Sequence, residues 1–141
     1  MARLIAIDYG EKRSGIAVTD PLCIIANGLT TVKTSELLKF LEQYFTNEKV
    51  DKLIIGYPKT LQNKPAAIIS KIDEFTNVIS QKYPHIEIIR HDERFTSKLA
   101  FQTMIDSGIS KKARQNKALI DQISATIILR DYLESTQYEK R

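Results

Sequence analysis

Carboxylate side chains follow two short apolar segments of this chain, at points where a buried strand would end. Asp8 comes directly after Leu4–Ile7, and Asp92 and Glu93 come shortly after Ile86–Ile89. An unbroken apolar run of this length is typical of a strand that is buried on both faces. The ends of such strands, beside helix termini, form the usual ligand crevice of an open α/β sheet. The alternatives are a simple turn residue for Asp8 and a surface ion-pair patch for Asp92 and Glu93.

A further carboxylate, Asp121, lies within a helical pattern. It shares a helix face with Ala125 and Ile128, so a charged group interrupts an apolar stripe. Acids at such positions are rarely buried unless they are paired or bind a metal. A first-turn acid stabilised by the helix dipole, or a salt bridge to a nearby base, would also explain Asp121.

These acids are suited to holding divalent cations. Oxygen ligands favour Mg²⁺ or Mn²⁺, whereas one cysteine and two histidines offer no zinc cluster. Two such ions about 4 Å apart can activate a water molecule and stabilise the leaving oxygen of a phosphodiester. The residue types therefore predict metal-dependent hydrolysis of phosphodiester bonds at a sheet edge.

Basic side chains accompany the acids along the chain. They occur after the first predicted strand, after Pro58, after Glu93 and in a polar stretch at residues 110–117. We predict that these side chains bind the substrate. They are Lys12, Arg13, Lys59, Arg94, Lys98, Lys111, Lys112 and Arg114. A ring of bases fits a polyanion whose flanking phosphates must be neutralised. No arrangement resembles a base-specific code, so recognition of backbone and shape is expected. The basic stretch could also serve solubility alone.

Apolar periodicity predicts the elements that must position these side chains. Three leading strands followed by alternating helices and strands indicate an α/β fold, a five-stranded mixed sheet with helices on both faces. Gly10 and Gly15 bracket the first turn, where a glycine backbone can adopt positive φ or approach a ligand closely. The predicted strands cover residues 4–7, 16–18, 24–32, 52–55 and 86–89, and a turn at 27–28 interrupts the third. The predicted helices cover residues 36–48, 65–83, a short segment between Ser97 and Gly108, and 118–133. Thr34 or Ser35 is the predicted cap of the first helix, and the tail at 135–141 is expected to be frayed.

Length and composition limit the class of protein. The 141 residues fit one domain, and 43% hydrophobic with 27% charged residues is ordinary for a globular protein. The net charge of +4 permits a nucleic-acid partner without requiring one. The single Cys23 cannot form an intramolecular disulfide, and no apolar run approaches the roughly 20 residues that span a bilayer. We therefore expect a cytoplasmic protein that does not act in a membrane.

Four sequence blocks, in order, resemble the YqgF/RuvX family of small RNase H-fold nucleases. The blocks are Asp8-x-Gly10-x-Lys12-Arg13-x-Gly15-x-Ala17-x-x-Asp20, Gly56-x-Pro58, Asp92-Glu93-Arg94-x-Thr96-Ser97 and Asp121-x-x-Ser124-Ala125-x-x-x-Leu129. The resemblance spans nearly the whole chain.

This resemblance implies an RNase H-like nuclease domain over residues 1–141, with Mg²⁺ or Mn²⁺ as cofactor and a role in maturing the 5′ end of precursor 16S rRNA. Asp8, Glu93 and Asp121 match the family's proposed catalytic acids and are the implied metal ligands. Asp92 is a neighbour that could share or orient a ligand. Asp20 also matches the pattern, and the alternative is that it stabilises the hairpin.

Other functions stay open at this point. The family is also described as Holliday junction resolvases by likeness to RuvC, which would make branched DNA the substrate instead of structured RNA. A non-catalytic nucleic-acid-binding module would keep the basic residues but tolerate loss of the acids. An Asp-x-Gly hairpin also opens the actin and sugar-kinase ATPases, although those enzymes close two such domains around ATP. We expect a monomer or a weak homodimer.

Overall fold

Five strands form one mixed sheet in the computed structural model, which describes residues 2–57, 66–92 and 116–139. In chain order the strands are β1 (Arg3–Asp8), β2 (Arg13–Thr19), β3 (Ala26–Lys33), β4 (Val50–Tyr57) and β5 (Glu87–Asp92). Across the sheet the order is β3-β2-β1-β4-β5. The pairs β1–β2 and β2–β3 are antiparallel, and β1–β4 and β4–β5 are parallel. The predicted five-stranded mixed sheet is confirmed.

Helices cover both faces of this sheet. In the described ranges they are a 3₁₀ turn at Thr34–Glu36, α1 (Leu37–Asn47), α2 (Ala66–Lys82) and α3 (Lys117–Glu139). The core on one face joins the sheet to α1 and α2, and the core on the other face joins it to α3. The prediction of helices on both faces is therefore also confirmed.

Strand β1 shows why its sequence is apolar without interruption. Ile5 and Ile7 contribute to the core beneath α1 and α2, whereas Leu4 and Ala6 contribute to the core beneath α3. Successive side chains of a strand point to opposite faces, so a strand that is covered twice needs apolar residues at every position.

The structure corrects the predicted start of the second strand and the predicted break in the third. Strand β2 begins at Arg13, three residues before the apolar run that starts at Ile16. Strand β3 continues through Asn27 and Gly28, where the sequence predicted a turn. The pairing absorbs this segment as a shift of register opposite Ile16 and Ala17. Polar residues can occupy β3 because it is an edge strand and largely exposed.

The predicted cap of the first helix is also corrected, and the last helix has a cap that was not predicted. Neither Thr34 nor Ser35 forms a side-chain cap on the helical segment that follows. Instead, the Thr34 hydroxyl donates a hydrogen bond to the Gly10 carbonyl oxygen at 2.7 Å. Helix α3 begins after Asn116, whose side-chain oxygen accepts hydrogen bonds from the backbone N–H groups of Ala118 and Leu119 at 3.0 and 3.3 Å. Asn116 lies in the stretch that was predicted to be a loop.

Helix α3 also extends beyond its predicted end. It runs to Glu139 rather than Leu133, so the expected fraying from residue 135 is wrong for most of the tail. The predicted short helix between Ser97 and Gly108 and most of the basic stretch 110–117 lie outside the described residues. Among the helices of the described ranges, none combines the length and the apolar character needed to cross a membrane.

Candidate active site

Asp8 lies at the carboxyl end of β1, near the centre of the sheet. It is the last residue of the strand and pairs with Gly15 of β2. Leu4 and Ala6 belong to the core beneath α3, so the alternation of the strand turns Asp8 toward that same face. Asp8 is half-buried, at the border of this core.

Gly15 joins Asp8 to the second predicted acid. The backbone of α3 passes so close to this glycine that an added Cβ would overlap the Asp121 carbonyl oxygen and lie 2.8 Å from the Gln122 nitrogen. Gly15 is also the direct backbone partner of Asp8. The backbones of Asp8 and Asp121 therefore both lie against Gly15, although the two residues are far apart in the sequence.

Arg13 contacts Asp121 from the start of β2. Its guanidinium Nε donates a hydrogen bond to the Asp121 Oδ2 at 3.2 Å. The Arg13 and Asp121 side chains are 37% and 24% exposed, so solvent screens part of this attraction. A salt bridge at Asp121 was one of the alternatives raised by the sequence, and it coexists with the placement of Asp121 beside Asp8.

The first turn of α3 is hydrogen-bonded to β3, which is an outer strand of the sheet. The Thr31 hydroxyl of β3 donates a hydrogen bond of 2.6 Å to the Ala118 carbonyl oxygen. With the Asn116 cap, this contact fixes the start of α3 one turn before Asp121. Three contacts therefore determine the position of Asp121. They are the hydrogen bond from Thr31, the Asn116 cap and the close approach of α3 to Gly15.

Strand β5 ends at the same edge as β1. Because β1, β4 and β5 are parallel, their carboxyl ends meet there, and Asp92 pairs with Tyr57 at the end of β4. His91 lies within hydrogen-bonding distance of Asp131 of α3, with 2.8 Å between Nε2 and Oδ2. Glu93, the third predicted catalytic acid, lies one residue beyond β5 and outside the described residues.

Only two of the predicted substrate-binding bases belong to the described part of the chain. Lys12 is exposed in the turn between β1 and β2, and Arg13 lies beside Asp121. The others lie outside the described residues: Lys59, Arg94, Lys98, Lys111, Lys112 and Arg114.

The donor set at this edge can be tested against a divalent metal. Within residues 2–57, 66–92 and 116–139, no group of three or more His, Cys, Asp or Glu side chains could hold a metal ion. Asp8 and Asp121 supply carboxylate oxygens, the donors that Mg²⁺ and Mn²⁺ prefer. These two acids fit such an ion in chemical type, and a third ligand would have to come from another part of the chain.

Asp20 has a structural role in the connection between β2 and β3. Its carboxylate accepts hydrogen bonds from the backbone N–H groups of Leu22, Ile24 and Ile25 at 3.2, 2.9 and 2.8 Å. These bonds, the one from Ile25 above all, lower the pKa of the Asp20 carboxyl group below its usual value of 3.8. Thr19, the residue before Asp20, contacts Leu4 near the start of β1, so Asp20 lies at the edge opposite Asp8. The hairpin-stabilising alternative therefore describes Asp20.

Sequence reasoning missed two features of this region. It offered no partner for His91, because Asp131 lies 40 residues away and on another element. The sequence indicated Ser124 only as part of a motif, whereas the residue is 1% exposed and its hydroxyl has no hydrogen-bond partner among residues 2–57, 66–92 and 116–139. A serine three residues after Asp121, on the apolar side of α3, was the available signal.

A family model for RuvX, described as Holliday junction resolvase, matches residues 2–135. The chain belongs to the RuvX family. The family resemblance predicted from the sequence is confirmed, and so is the prediction of a nuclease, because resolvases hydrolyse phosphodiester bonds.

Curated relatives agree with this assignment to RuvX. A protein of Flavobacterium johnsoniae is 56% identical over 138 residues, covering 98% of this chain and 100% of the relative. A protein of Phocaeicola vulgatus is 54% identical over 138 residues, covering 98% of this chain and 99% of the relative. Both carry the name "Putative pre-16S rRNA nuclease".

Two solved structures of Thermus thermophilus RuvC share the fold of this RuvX-family chain. RuvC in complex with a Holliday junction substrate gives a TM-score of 0.59 at 14% identity, covering 97% of this chain and 96% of that one. A second RuvC structure gives 0.55 at 14% identity, covering 96% of each chain. At this level of identity the likeness establishes the fold, and the predicted RNase H-like class is confirmed.

Proposed function

We propose that this RuvX-family chain is a divalent-metal-dependent endonuclease that matures the 5′ end of precursor 16S rRNA. In this proposal Asp8, Glu93 and Asp121 are the catalytic acids and the metal ligands. The names of the curated relatives support the substrate, and the carboxylate donors support the metal.

The contact of α3 with Gly15 is the observation that supports the proposal best. It brings a strand-end acid and a helix acid to one point of the sheet edge, on the face that α3 covers. Placing two carboxylates together costs electrostatic energy unless a cation neutralises them. Arg13 supplies part of that neutralisation at Asp121. A divalent ion bound by both carboxylates would remove the rest of this repulsion.

Glu93 is proposed as the third acid from its position in the sequence. It follows β5, whose carboxyl end lies at the same edge as that of β1. In the sequence, Glu93 comes directly after Asp92, the last residue of β5, and it belongs to a block that resembles the family.

Each group of residues has a separate task in the proposed reaction. The bound metal would activate a water molecule and stabilise the developing charge on the phosphate. Asp8 and Asp121 would hold it, and Arg13 would neutralise the flank of the carboxylate that it contacts. Lys12 and the basic residues outside the described ranges would neutralise the phosphates on either side of the scissile bond.

The decisive experiment compares Asp8→Asn with wild type on a transcript of the precursor 16S rRNA 5′ end, with Mg²⁺, with Mn²⁺ and with a chelator. The substitution removes one metal-binding charge at constant size. We expect wild type to cleave only with a divalent metal and Asp8→Asn to lose at least about a hundredfold in rate, since metal stabilisation contributes several kcal/mol.

Asp51→Asn is the matched control. Asp51 is an exposed acid at the amino end of β4, the sheet edge opposite Asp8, and its replacement should leave cleavage unchanged. Equal cleavage by Asp8→Asn and wild type would contradict the proposed site. Binding of the transcript without cleavage by any of the three proteins, in either metal, would favour a non-catalytic binding module.

A second candidate substrate is branched DNA, favoured by the description of the family model that matches residues 2–135. The same proteins and metals would be tested on a four-way junction. Resolution of a junction requires two cuts, so the number of protomers bound per junction is measured by sedimentation in parallel. Symmetric cleavage by a two-protomer complex would support resolvase activity, and binding of a single protomer would contradict it.

A further inference from the structure

A basic cleft lies at the active edge of the sheet, on the side of Asp8 toward β3. It has a volume of about 500 Å³ and is lined by Glu11, Lys12, Arg13, Lys33 and Ser35. Three of these side chains are positive and one is negative, so the cleft carries a net positive charge. Lys33 was not among the bases that the sequence associated with the acids.

The two lysines of this cleft are held close to each other by the backbone. Lys33 ends β3 and pairs in register with Arg13 of β2. The backbone N–H of Thr34 donates a hydrogen bond of 3.0 Å to the Lys12 carbonyl oxygen, directly across the cleft. The Thr34 and Ser14 hydroxyls lie 2.9 Å apart and connect the same two segments. The backbone positions from which the two lysine side chains extend are therefore held together by hydrogen bonds.

Neither lysine is neutralised within the described part of the chain. Other described lysines form ion pairs, such as Lys52 with Glu87 and Lys82 with Glu42. Lys12 and Lys33 form no ion pair with a described residue. Both are exposed and available to an anion in solution.

The position of the cleft relative to the acids limits what the anion can be. Strands β1 and β3 are both antiparallel to β2, so Lys33 and Asp8 end their strands at the same edge. Two steps between neighbouring strands separate them by roughly 10 Å across the sheet. A phosphodiester strand cleaved at the acids can reach this cleft within a few nucleotides.

We propose that Lys33, together with Lys12, binds a backbone phosphate of the substrate strand a few nucleotides from the scissile bond. The strand then leaves the acids across the ends of β2 and β3, toward the start of α1. This inference rests on the proposed function, since it assigns the path of the substrate that the acids cleave. The ligand chemistry is the phosphodiester backbone, which RNA and DNA share.

The test compares Lys33→Gln with Lys49→Gln. Lys49 is an exposed lysine immediately before β4, at the opposite edge of the sheet, so both variants lose one surface charge. Each is measured for cleavage of the precursor 16S rRNA transcript and of a four-way DNA junction. Binding of both nucleic acids is measured in the Asp8→Asn background between about 50 and 200 mM salt, and thermal unfolding confirms that the variants are folded.

We expect Lys33→Gln to raise KM severalfold on whichever nucleic acid is cleaved, with a much smaller change in kcat. The slope of log K against log salt should fall by about 0.7–0.9, so the loss of affinity over this salt range becomes roughly threefold smaller. Lys49→Gln should match wild type in both measurements.

The outcomes separate this inference from the proposed function. If wild type cleaves, Asp8→Asn does not, and Lys33→Gln behaves as Lys49→Gln in KM and salt slope, the phosphate site is wrong and the nuclease assignment stands. An effect of Lys33→Gln on both RNA and DNA would support backbone recognition. If RNA and DNA both bind in the Asp8→Asn background, a change in the salt slope for RNA alone would overturn it, because a phosphate contact is insensitive to the sugar.

Discussion

Gly15 shows how a single residue without a side chain can determine the geometry of a candidate active site. The sequence predicts that Gly10 and Gly15 are turn or ligand-contact positions. The structure instead places Gly15 within β2, where the absent Cβ permits the close approach of α3. The requirement comes from tertiary packing, which local sequence does not report. The small residues Gly15 and Ala17 on one strand face, with Ala125 on α3, were the only sequence signal.

Gly15→Ala should therefore disturb both stability and catalysis. The added methyl group would collide with the backbone of α3 at Asp121, and overpacking of this kind costs roughly 1–3 kcal/mol. Gly28→Ala is the control, because its Cβ would meet only the flexible side chain of Gln122. Chemical denaturation and cleavage assays below the unfolding transition would be compared. Equal effects of the two substitutions would contradict the proposed role of Gly15.

Ser124 leads to the opposite prediction for stability. Its hydroxyl is buried and has no hydrogen-bond partner in the described part of the chain, whereas the buried Ser14 hydroxyl lies 2.9 Å from that of Thr34. Removing an unpaired buried hydroxyl is neutral or stabilising by up to about 1 kcal/mol, and removing a paired one costs about 0.5–1.5 kcal/mol. The free energy of unfolding, measured by denaturant titration, should therefore stay the same or rise in Ser124→Ala and should fall in Ser14→Ala. A clear loss of stability in Ser124→Ala would contradict this prediction, because it would show that the Ser124 hydroxyl forms a stabilising hydrogen bond.

Among the elements, strand positions were more predictable than their ends. Continuous apolar runs located β1 and β4 because both faces of these central strands are buried. Strand β3 was predicted with a break because edge strands tolerate polar residues and glycine. The predicted cap at Thr34 was wrong because its hydroxyl donates a hydrogen bond to the Gly10 carbonyl oxygen and does not cap the helix, and the Asn116 cap of α3 was not predicted. Neighbouring elements determine which of these hydrogen bonds form.

The connection between β2 and β3 depends on one carboxylate, which gives it a defined pH dependence. Three backbone N–H groups hold the pKa of Asp20 below its usual value of 3.8. A lowered pKa in the folded state contributes stability above the unfolded pKa, and this contribution is lost as the pH falls through the folded pKa. Wild type should thus exceed Asp20→Asn in stability at neutral pH, and the difference should shrink below about pH 4. A difference that is constant from neutral pH to acid would refute this role.

At the scale of the whole molecule, one helix serves both the core and the site. Helix α3 closes one face of the sheet with Ala125, Ile128, Leu129 and Leu133, and it also carries Asp121. Helices α1 and α2 close the other face, and within the described residues neither carries a candidate catalytic acid. Packing defects on the two faces should therefore have different consequences for activity.

Leu129→Ala and Leu41→Ala test this difference with the same substitution. Both leucines are fully buried, on opposite faces of the sheet, and each change should cost about 2–5 kcal/mol. At a temperature where both variants remain folded, only Leu129→Ala should raise the metal concentration needed for half-maximal cleavage, since it loosens the helix that holds Asp121. Equal metal requirements for the two variants would show that the acid is positioned independently of the core.

The contact between Arg13 and Asp121 has a consequence for how the site meets its metal. The chain already provides Asp121 with a counterion, so the fold does not depend on an external cation to balance that charge. A divalent ion arriving at Asp121 must share the carboxylate with a guanidinium or displace it. Metal binding at the proposed site would then be a cation exchange rather than a simple addition if the guanidinium is displaced, and a displaced guanidinium would be a positive charge beside the incoming phosphate.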